Sequence, residues 1–505
     1  MPNLFAYIVL LGFPLVALLM FHRLPLQKAL VWSVLAGHLM LPSATMVNLP
    51  VLPVLDRVSI VGLSVFLLCL IYGRKAGPPP KDQRAGRWVF SLMLAFAVFG
   101  PFLTVAFNRT PLFFGPTMLP GLGPKDAVSL AIQTFTALVP FWLGLRYLNT
   151  REGHRLLLQG FVIGALIYTV PVLIELRLSP QLHNWVYGFF QHSFAQHIRE
   201  GGFRPLVFLD HGLVLGIFLC IGCLSALVLF KEALRTGQTA FGWFYAALWL
   251  LLILFESNNF GALALALGGS VLLLLSGQRL LMVVAGTVAV VVLLYPILRG
   301  SGLIPIETVL DLLGRISSDR AGSLGFRLMN EEALLERANL KPLFGWGSWA
   351  RNQIFDSYTG EMTSVTDGVW IIFIGIYGWL GYIGRFGLLT LPILFYAAKR
   401  SQLGPSRITT GLAVVLAVIL MDLIPNSALV NYVWLMAGGI AGLVLTQRAE
   451  AATGAVASDT GAAVPPGATP APQPAAWLMR PAEPPADRRA ARAPARPDRS
   501  GRSRR

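Results

Sequence analysis

Charged residues are scarce in this chain. Asp, Glu, Lys and Arg together make up only 13% of the 505 residues, whereas ordinary soluble domains carry roughly 25%. Hydrophobic residues account for 55%, and the mean hydropathy is +0.65. This balance excludes an ordinary soluble globular protein and is typical of an integral membrane protein.

Cysteines are few, and the signature motifs of several enzyme classes are missing. Cys69, Cys220 and Cys223 all lie in apolar segments, where a helix core offers neither the exposed setting of a redox pair nor a second pair of metal ligands. We therefore expect buried thiols. There is no phosphate-binding Gly-rich loop with Lys and Ser/Thr, no His-Glu-x-x-His pair and no Gly-x-Ser-x-Gly elbow. Nucleotide hydrolysis, zinc proteolysis and serine hydrolysis therefore lack their residues.

Long apolar runs are what the sequence has in abundance. Only helices or closed barrels can cross lipid, and these runs lack the two-residue alternation of barrel strands. We therefore predict an all-α, polytopic bundle of about 12 to 13 membrane-spanning helices. The first run follows no basic segment and precedes no small-residue cleavage site, so we expect it to stay in the membrane. The candidate spans are residues 4–20, 29–41, 58–72, 88–107, 127–148, 156–176, 213–230, 241–255, 261–275, 280–298, 369–398, 408–424 and 428–446.

Basic residues occur in every second loop, which predicts the end of each helix that faces the cytoplasm. We expect a transmembrane domain over residues 1–448 and a disordered, cytoplasmic Ala/Pro/Arg-rich tail over 449–505, because the tail has too little apolar surface to fold. The net charge of +16 records this loop bias and the tail arginines, so nucleic acid is not an expected partner. The loops expected to face outward include 42–57, 108–126, 177–212 and 299–368.

The longest polar connection covers residues 299–368. A loop of about 70 residues usually has a function of its own. Helical spacing predicts surface helices over 306–313 and 323–337, and Gly-Trp-Gly at 345–347 predicts a tight turn. The next span, 369–398, carries glycines at every third residue. Because that step spirals around a helix, it predicts a bent or two-part helix.

The first group of candidate site residues lies just before the span 213–230. Arg199 and Arg204 can pair with phosphate oxygens, and Asp210 with His211 offers an acid and base pair. Glycines between them let backbone amides approach a ligand. The alternative is that Arg204 and Asp210 only anchor the membrane interface.

The second group lies in the loop 299–368. Arg327 can hold a pyrophosphate with two parallel hydrogen bonds, and Asp367 can accept a proton from an attacking hydroxyl. Arg351 is a further candidate for pyrophosphate binding, and the turn Gly345-Trp346-Gly347 is a candidate pocket wall. The alternatives are a solvated helix face for Arg327 and an N-cap for Asp367.

Four motifs follow one another along the chain. They are the Arg- and Gly-containing segment 199–212, the polar break Ser257-Asn258-Asn259-Phe260-Gly261, Arg327 followed by Pro342-Leu-Phe-Gly-Trp-Gly347, and Val365-Thr-Asp367-Gly leading into Gly375-Ile-Tyr-Gly-Trp-Leu-Gly381. This order resembles the O-antigen ligase and polysaccharide polymerase superfamily, over roughly residues 55–446.

Members of that superfamily are membrane glycosyltransferases that move saccharide from an undecaprenyl pyrophosphate carrier to an acceptor sugar at the outer face of the bacterial inner membrane. The resemblance implies that Arg204 and Arg327 bind the pyrophosphate and that the late loop positions the acceptor. From the residues themselves, we expect Asp367 or His211 to act as the base. The resemblance implies no cofactor and no metal. The implied partners are the lipid-linked oligosaccharide, membrane lipid, a flippase, and chain-length or export proteins.

Two departures from the family pattern refine this expectation. Thr366-Asp367 stands where ligases have His-Asn, which favours a polymerase of exopolysaccharide, capsule or O-antigen over a ligase. Asn258-Asn259 stands where many members have Ser-Arg, so one phosphate-binding arginine is missing. The alternatives are a ligase that transfers glycan to a lipid or protein, a polysaccharide or lipid transporter or flippase, and a structural scaffold. A transporter predicts functional polar residues at mid-membrane, and this sequence has few.

Overall fold

The computed structural model describes residues 1–48, 54–73, 84–199, 202–315 and 318–446. Helices dominate this part of the chain, and the strands in it form two short hairpins. The predicted tail, 449–505, lies outside the described residues. The hairpins are β1 (Leu112–Phe114) with β2 (Thr117–Leu119) and β3 (Ile198–Arg199) with β4 (Gly202–Phe203).

Long helices follow one another through most of the described chain. Several begin at a side-chain cap: Asn3, Asp56, Thr150 and Ser406 each accept a hydrogen bond from the backbone N–H three residues on. In order, the helices are α1 (Leu4–Arg23), α2 (Leu26–Met40), α3 (Arg57–Tyr72), α4 (Arg84–Ala106), α5 (Pro124–Tyr147), α6 (Arg151–Leu178), α7 (Leu182–Tyr187), α8 (Gly212–Arg235), α9 (Phe241–Glu256), α10 (Phe260–Leu275), α11 (Gln278–Gly300), α12 (Ile306–Gly314), α13 (Ser318–Asn339), α14 (Val369–Leu403), α15 (Arg407–Asp422) and α16 (Asn431–Thr446).

Seven of the described helices, α1, α4, α5, α6, α8, α11 and α14, are long and apolar enough to cross a membrane. Four more apolar helices, α3, α9, α10 and α16, have 16 residues each. At 1.5 Å per residue these are about 24 Å long, shorter than the roughly 30 Å hydrocarbon core. The structure is therefore a helical bundle of membrane type, as the composition predicts, with helices of two lengths.

At one end of the bundle, the connections between helices are rich in Lys and Arg. We call this the basic end. Arg151 at the start of α6 donates from Nη2 to the carbonyl of Leu403 at the end of α14, at 2.7 Å. Lys231 near the end of α8 donates to the carbonyl of Leu273 near the end of α10, at 2.6 Å. The connections that meet here are those in which the sequence concentrates basic residues.

The remaining connections lie at the opposite end of the bundle, which we call the cavity end. Arg57 at the start of α3 forms an ion pair with Asp210 just before α8. Arg327 on α13 donates to the carbonyl of Pro425 between α15 and α16, at 3.0 Å. Connections thus alternate between the two ends, because successive bundle helices run in opposite directions.

Helix α14 consists of two helical parts that meet at Gly378. Its backbone there is left-handed, with φ 63° and ψ −167°, which confirms the predicted two-part helix. The loop before α14 passes through this break: Trp379 donates its N–H to the carbonyl of Pro342 (2.7 Å), and Leu380 donates to that of Leu343 (3.2 Å). The loop thereby satisfies amides that start the second part and have no partner within the helix.

The long loop contains the two predicted surface helices, α12 and α13, although α13 begins five residues earlier than its apolar pattern indicates. Gly345 and Gly347 both have left-handed backbones, with φ of 66° and 85°, but the turn covers residues 342–344, just before the position predicted for it. Gly345 also packs against the backbone of Ile376 in α14. The three cysteines are buried and free, as expected.

We predict that Gly378→Ala destabilises the protein, by about 2 kcal/mol or more. A methyl group would overlap the backbone of Leu343 and Phe344, and the left-handed φ disfavours alanine. Gly261→Ala is the matched control, because nothing lies within 4 Å of that position on α10. Thermal unfolding of the purified variants measures the difference. Equal melting temperatures for the two variants would contradict the two-part helix.

Candidate functional site

A cavity of about 490 Å³ opens at the cavity end of the bundle. Its wall combines the end of α2, the start of α3, the start of α8, helix α13, the residues before α14 and the α15–α16 connection. Four sequence-predicted site residues line it together: Asp210, His211, Arg327 and Asp367. Tertiary structure thus brings the two groups of candidates, more than a hundred residues apart in sequence, to one place.

Arg57 is the cavity residue that the sequence reasoning missed. Its side chain is only 7% exposed and forms an ion pair with Asp210. Its Nη1 donates to the carbonyls of Phe208 (3.3 Å) and His38 (3.5 Å). The sequence does contain a clue to this role, because Arg57 lies in the first turn of an apolar span. A charge in that position is energetically unfavourable unless it has a partner.

Arg327 connects three segments of the cavity wall. Its Nη1 donates to Pro425 O (3.0 Å) and to Asn426 Oδ1 (2.9 Å), and its Nε lies 3.6 Å from Asp367 Oδ2. Its Nη2 has no hydrogen-bond partner among the described residues. One arm of the guanidinium is therefore available to an anion in the cavity.

Asp367 does not cap α14. The N-cap residue is Gly368, and no side chain caps the first turn, so the capping alternative is wrong. The carboxylate of Asp367 instead faces Arg327, and both side chains are about a quarter exposed. Arg327 holds this carboxylate in place, and its open side can accept a proton from a hydroxyl bound in the cavity.

His211 caps helix α8. Its Nδ1 accepts the N–H of Leu213 at 3.0 Å, so the neutral ring carries its proton on Nε2. Burial, together with repulsion from the neighbouring His197, His192, Arg204 and Arg327, lowers the pKa of His211 to about 3. A ring held neutral with such a low pKa is a poor base, and its geometry suits donation of a hydrogen bond from Nε2.

His192, His197 and His211 form a group whose ring nitrogens lie within 4.8 Å of one another. Three imidazoles at this spacing could hold a transition metal after small side-chain rotations. A metal on Nε2 of His211 would require a proton on Nδ1, however, and that proton would remove the acceptor of Leu213 N–H. The three histidines could therefore bind a metal only if α8 lost this N-cap hydrogen bond, and we assign no metal to the site.

Arg204 lies beside the cavity, near His211, and is not part of its wall. Arg204 donates from Nη2 to the carbonyl of Asn258 in the polar break between α9 and α10, at 3.2 Å, and its stem packs on Gly212. Arg204 is close enough to contribute to the low pKa of His211. Arg199 is on β3, paired with Gly202.

The structure does not bring Arg351 or the turn Gly345-Trp346-Gly347 to this cavity. Arg351 is 1% exposed and donates to three backbone carbonyls, those of Trp346, Pro120 and Thr110. The ring centre of Trp346 lies 4.3 Å from the guanidinium of Arg337 and 4.5 Å from the ammonium of Lys341. The bonds from Arg351 to Pro120 and Thr110 anchor the long loop to the α4–α5 connection, so the role of Arg351 is structural.

Glu331 is a second group that sequence reasoning missed. It is buried on α13 and accepts the Nε1–H of Trp370 at 3.3 Å. The pKa of Glu331 is raised to about 7, and burial is the largest cause. The negative charge of Asp367 also raises it. The hydrogen bond from Trp370 and the positive charges of Arg299 and Arg327 lower it. This carboxyl therefore changes charge near neutral pH, next to the site.

No family model matches the chain, and no curated protein matches it either. The functional assignment therefore depends on the site geometry together with the sequence motifs.

We predict that Glu331→Gln stabilises the protein at pH 8 but not at pH 5. The folded-state pKa lies above the ordinary value of 4.5, so the folded protein binds more protons between about pH 4.5 and 7 and wild-type stability falls as pH rises through that window. Glutamine keeps an acceptor for Trp370 and never ionises. The expected gain at pH 8 is on the order of 2 kcal/mol, read from thermal unfolding at both pH values.

Glu336→Gln is the control, because Glu336 is an exposed residue of the same helix. Its effect on melting temperature is measured at the same two pH values. A Glu331→Gln variant that behaves like Glu336→Gln at both pH values would contradict the raised pKa.

Proposed function

We propose that this protein is a membrane glycosyltransferase that polymerises undecaprenyl-pyrophosphate-linked oligosaccharide units into an exopolysaccharide, capsule or O-antigen. The observation that carries the proposal is the shared cavity of Arg57, Arg327, Asp210, Asp367 and His211. It combines fixed guanidinium groups for a leaving diphosphate with carboxylates for an acceptor hydroxyl. The motif resemblance points to the same chemistry.

The proposed membrane topology has 12 to 13 spans with the cavity end outside. Successive bundle helices alternate in direction, and basic residues collect at the opposite end, which the positive-inside rule assigns to the cytoplasm. The cavity then opens at the periplasmic face of a bacterial inner membrane. The N-terminus lies outside and, with 13 spans, the C-terminus inside.

The short helices support a site at headgroup depth. Helices α3 and α16 reach the cavity wall and are about 24 Å long, so they leave several ångströms of the bilayer uncovered at one end. We place the cavity in that recess. A diphosphate attached to a prenyl chain in the lipid could enter it with its chain still in the membrane.

In the proposed reaction, the diphosphate binds the free Nη2 arm of Arg327 and the Nε2–H of His211. The hydroxyl oxygen of the acceptor sugar forms a bond to the anomeric carbon of the donor sugar. The bond from that carbon to the diphosphate oxygen breaks, and its electron pair leaves with the diphosphate. Asp367 takes the hydroxyl proton. Asp210, already paired with Arg57, positions the wall at the start of α8.

We predict that Arg327→Ala lowers turnover of a synthetic diphosphate-linked oligosaccharide by about 100-fold or more, because the developing charge loses a fixed donor. Arg327→Lys should recover only part of it, since lysine lacks the planar fork. Arg315→Ala, at an exposed arginine of the same loop, should behave as wild type. The assay uses purified protein, with protein levels checked by blotting. Full-length polymer from Arg327→Ala would remove the assigned role.

We predict that Asp367→Asn lowers kcat by about 10²- to 10⁴-fold with little change in KM, because it removes the proton acceptor and keeps the shape. Asp210→Asn should act mainly on protein stability, since it leaves the buried Arg57 without its carboxylate. Steady-state kinetics and thermal unfolding of both variants separate the two roles. Normal kcat in Asp367→Asn with loss of turnover in a folded Asp210→Asn would transfer base duty to Asp210.

A deletion strain distinguishes the polymerase from the ligase alternative. We predict loss of long chains on the lipid carrier, seen as a loss of high-molecular-weight bands on a gel. Accumulation of long carrier-linked chains would instead assign the protein to ligase-type transfer onto a lipid or protein acceptor. Loss of surface glycan with single lipid-linked units accumulated on the cytoplasmic side would favour a flippase.

A further inference from the structure

Arg385 is a buried cation inside the second part of α14. Its side chain is 4% exposed. Its Nη2 donates to Thr134 Oγ1 at 2.6 Å, and its Nη1 makes a long contact of 3.5 Å with Gly381 O. The guanidinium also lies 3.7 Å from the ring centre of Tyr377. All of these partners are neutral, so the full positive charge stays uncompensated.

Four other buried or half-buried arginines have better-matched partners than Arg385. Arg57, Arg299 and Arg327 each face a carboxylate within 4.0 Å, and Arg351 donates to three carbonyls. Arg385 has no carboxylate within that distance among the described residues and has only one short hydrogen bond. A charge in this position is expensive in a membrane-spanning helix unless an anion accompanies it.

A second cavity, of about 300 Å³, lies against Arg385 between α5, α14 and α16. Gln133 and Thr134 add polar groups beside the guanidinium. The rest of the wall is mainly apolar, as a hydrocarbon chain requires. Its apolar members include Leu138, Ile372, Phe373, Leu429 and Trp434.

The second cavity adjoins the candidate active site. Ser427 and Leu429, in the connection between α15 and α16, line both cavities. A group bound at Arg385 would therefore lie across one short connection from the Arg327 site. Arg327 in the first cavity and Arg385 in the second could therefore each bind a different anion.

We propose that the second cavity binds the phosphate headgroup of a membrane lipid, with Arg385 as its counter-ion and the apolar wall in contact with the lipid chain. A lipid fits better than a soluble anion because the guanidinium lies on a spanning helix beside apolar side chains. The lipid phosphate can come from a prenyl phosphate carrier or from an anionic phospholipid. The inference concerns binding alone and stands apart from the proposed transferase reaction.

The test uses the full chain in phosphatidylcholine nanodiscs and measures retained lipids by native mass spectrometry. The probes are undecaprenyl phosphate, phosphatidylglycerol, uncharged diacylglycerol and inorganic phosphate. We expect wild type to retain a phosphate lipid at least tenfold more tightly than diacylglycerol. Arg385→Gln should lose that preference, and Arg385→Lys should keep part of it. Preference for the prenyl lipid identifies a carrier site, and equal retention of both phosphate lipids identifies a general headgroup site.

Arg146→Gln is the matched control, because Arg146 also lies near aromatic rings of α5 and lines neither cavity. Ala137→Phe covers the case in which Arg385→Gln fails to fold: it fills the second cavity and leaves Arg385 in place, so it should reduce lipid retention at least tenfold. Wild-type retention in folded Arg385→Gln or in Ala137→Phe would overturn the proposal. Equal binding of inorganic phosphate at the same concentration would overturn the lipid assignment.

Discussion

The cost of placing charge inside a membrane bundle governs the cavity end of this protein. Arg57 is compensated by Asp210, and Arg327 by Asp367 and the amide oxygen of Asn426. Each ion pair joins segments that are far apart in sequence. Removing Asp210 would leave Arg57 as a buried ion without its partner, which is far more costly than the net worth of the pair. The loops at this end are therefore held by the same ions that form the cavity.

Helix length and one helix break give that end its shape. The 16-residue helices stop short of the bilayer thickness, while α14 bends at Gly378 and admits the long loop into the break. Carbonyls of Pro342 and Leu343 then satisfy the amides that start its second part. A recess with a covering loop follows from these two features without any additional domain.

The number of occupied donors distinguishes anchoring arginines from those that can meet a ligand. Arg351 donates from all three of its guanidinium nitrogens to backbone carbonyls, so it holds two loops together. Arg327 has bound partners on one side and a free arm on the cavity side. Arg385 has a single short bond and a cavity beside it. The sequence alone does not distinguish the roles of these three arginines, but the contacts of each side chain do.

The sequence by itself determined the membrane class, the helical bundle, the surface helices α12 and α13, and the two-part α14, because periodicity, glycine spacing and apolar length are local properties. It also named four of the residues that line the cavity. Only the tertiary structure decided that Asp367 faces Arg327 instead of capping α14, that Arg351 is an anchor, and that Arg57 belongs to the site. Those outcomes depend on partners 99 and 153 residues away, such as Asn426 for Arg327 and Asp210 for Arg57, and no local pattern encodes such pairings.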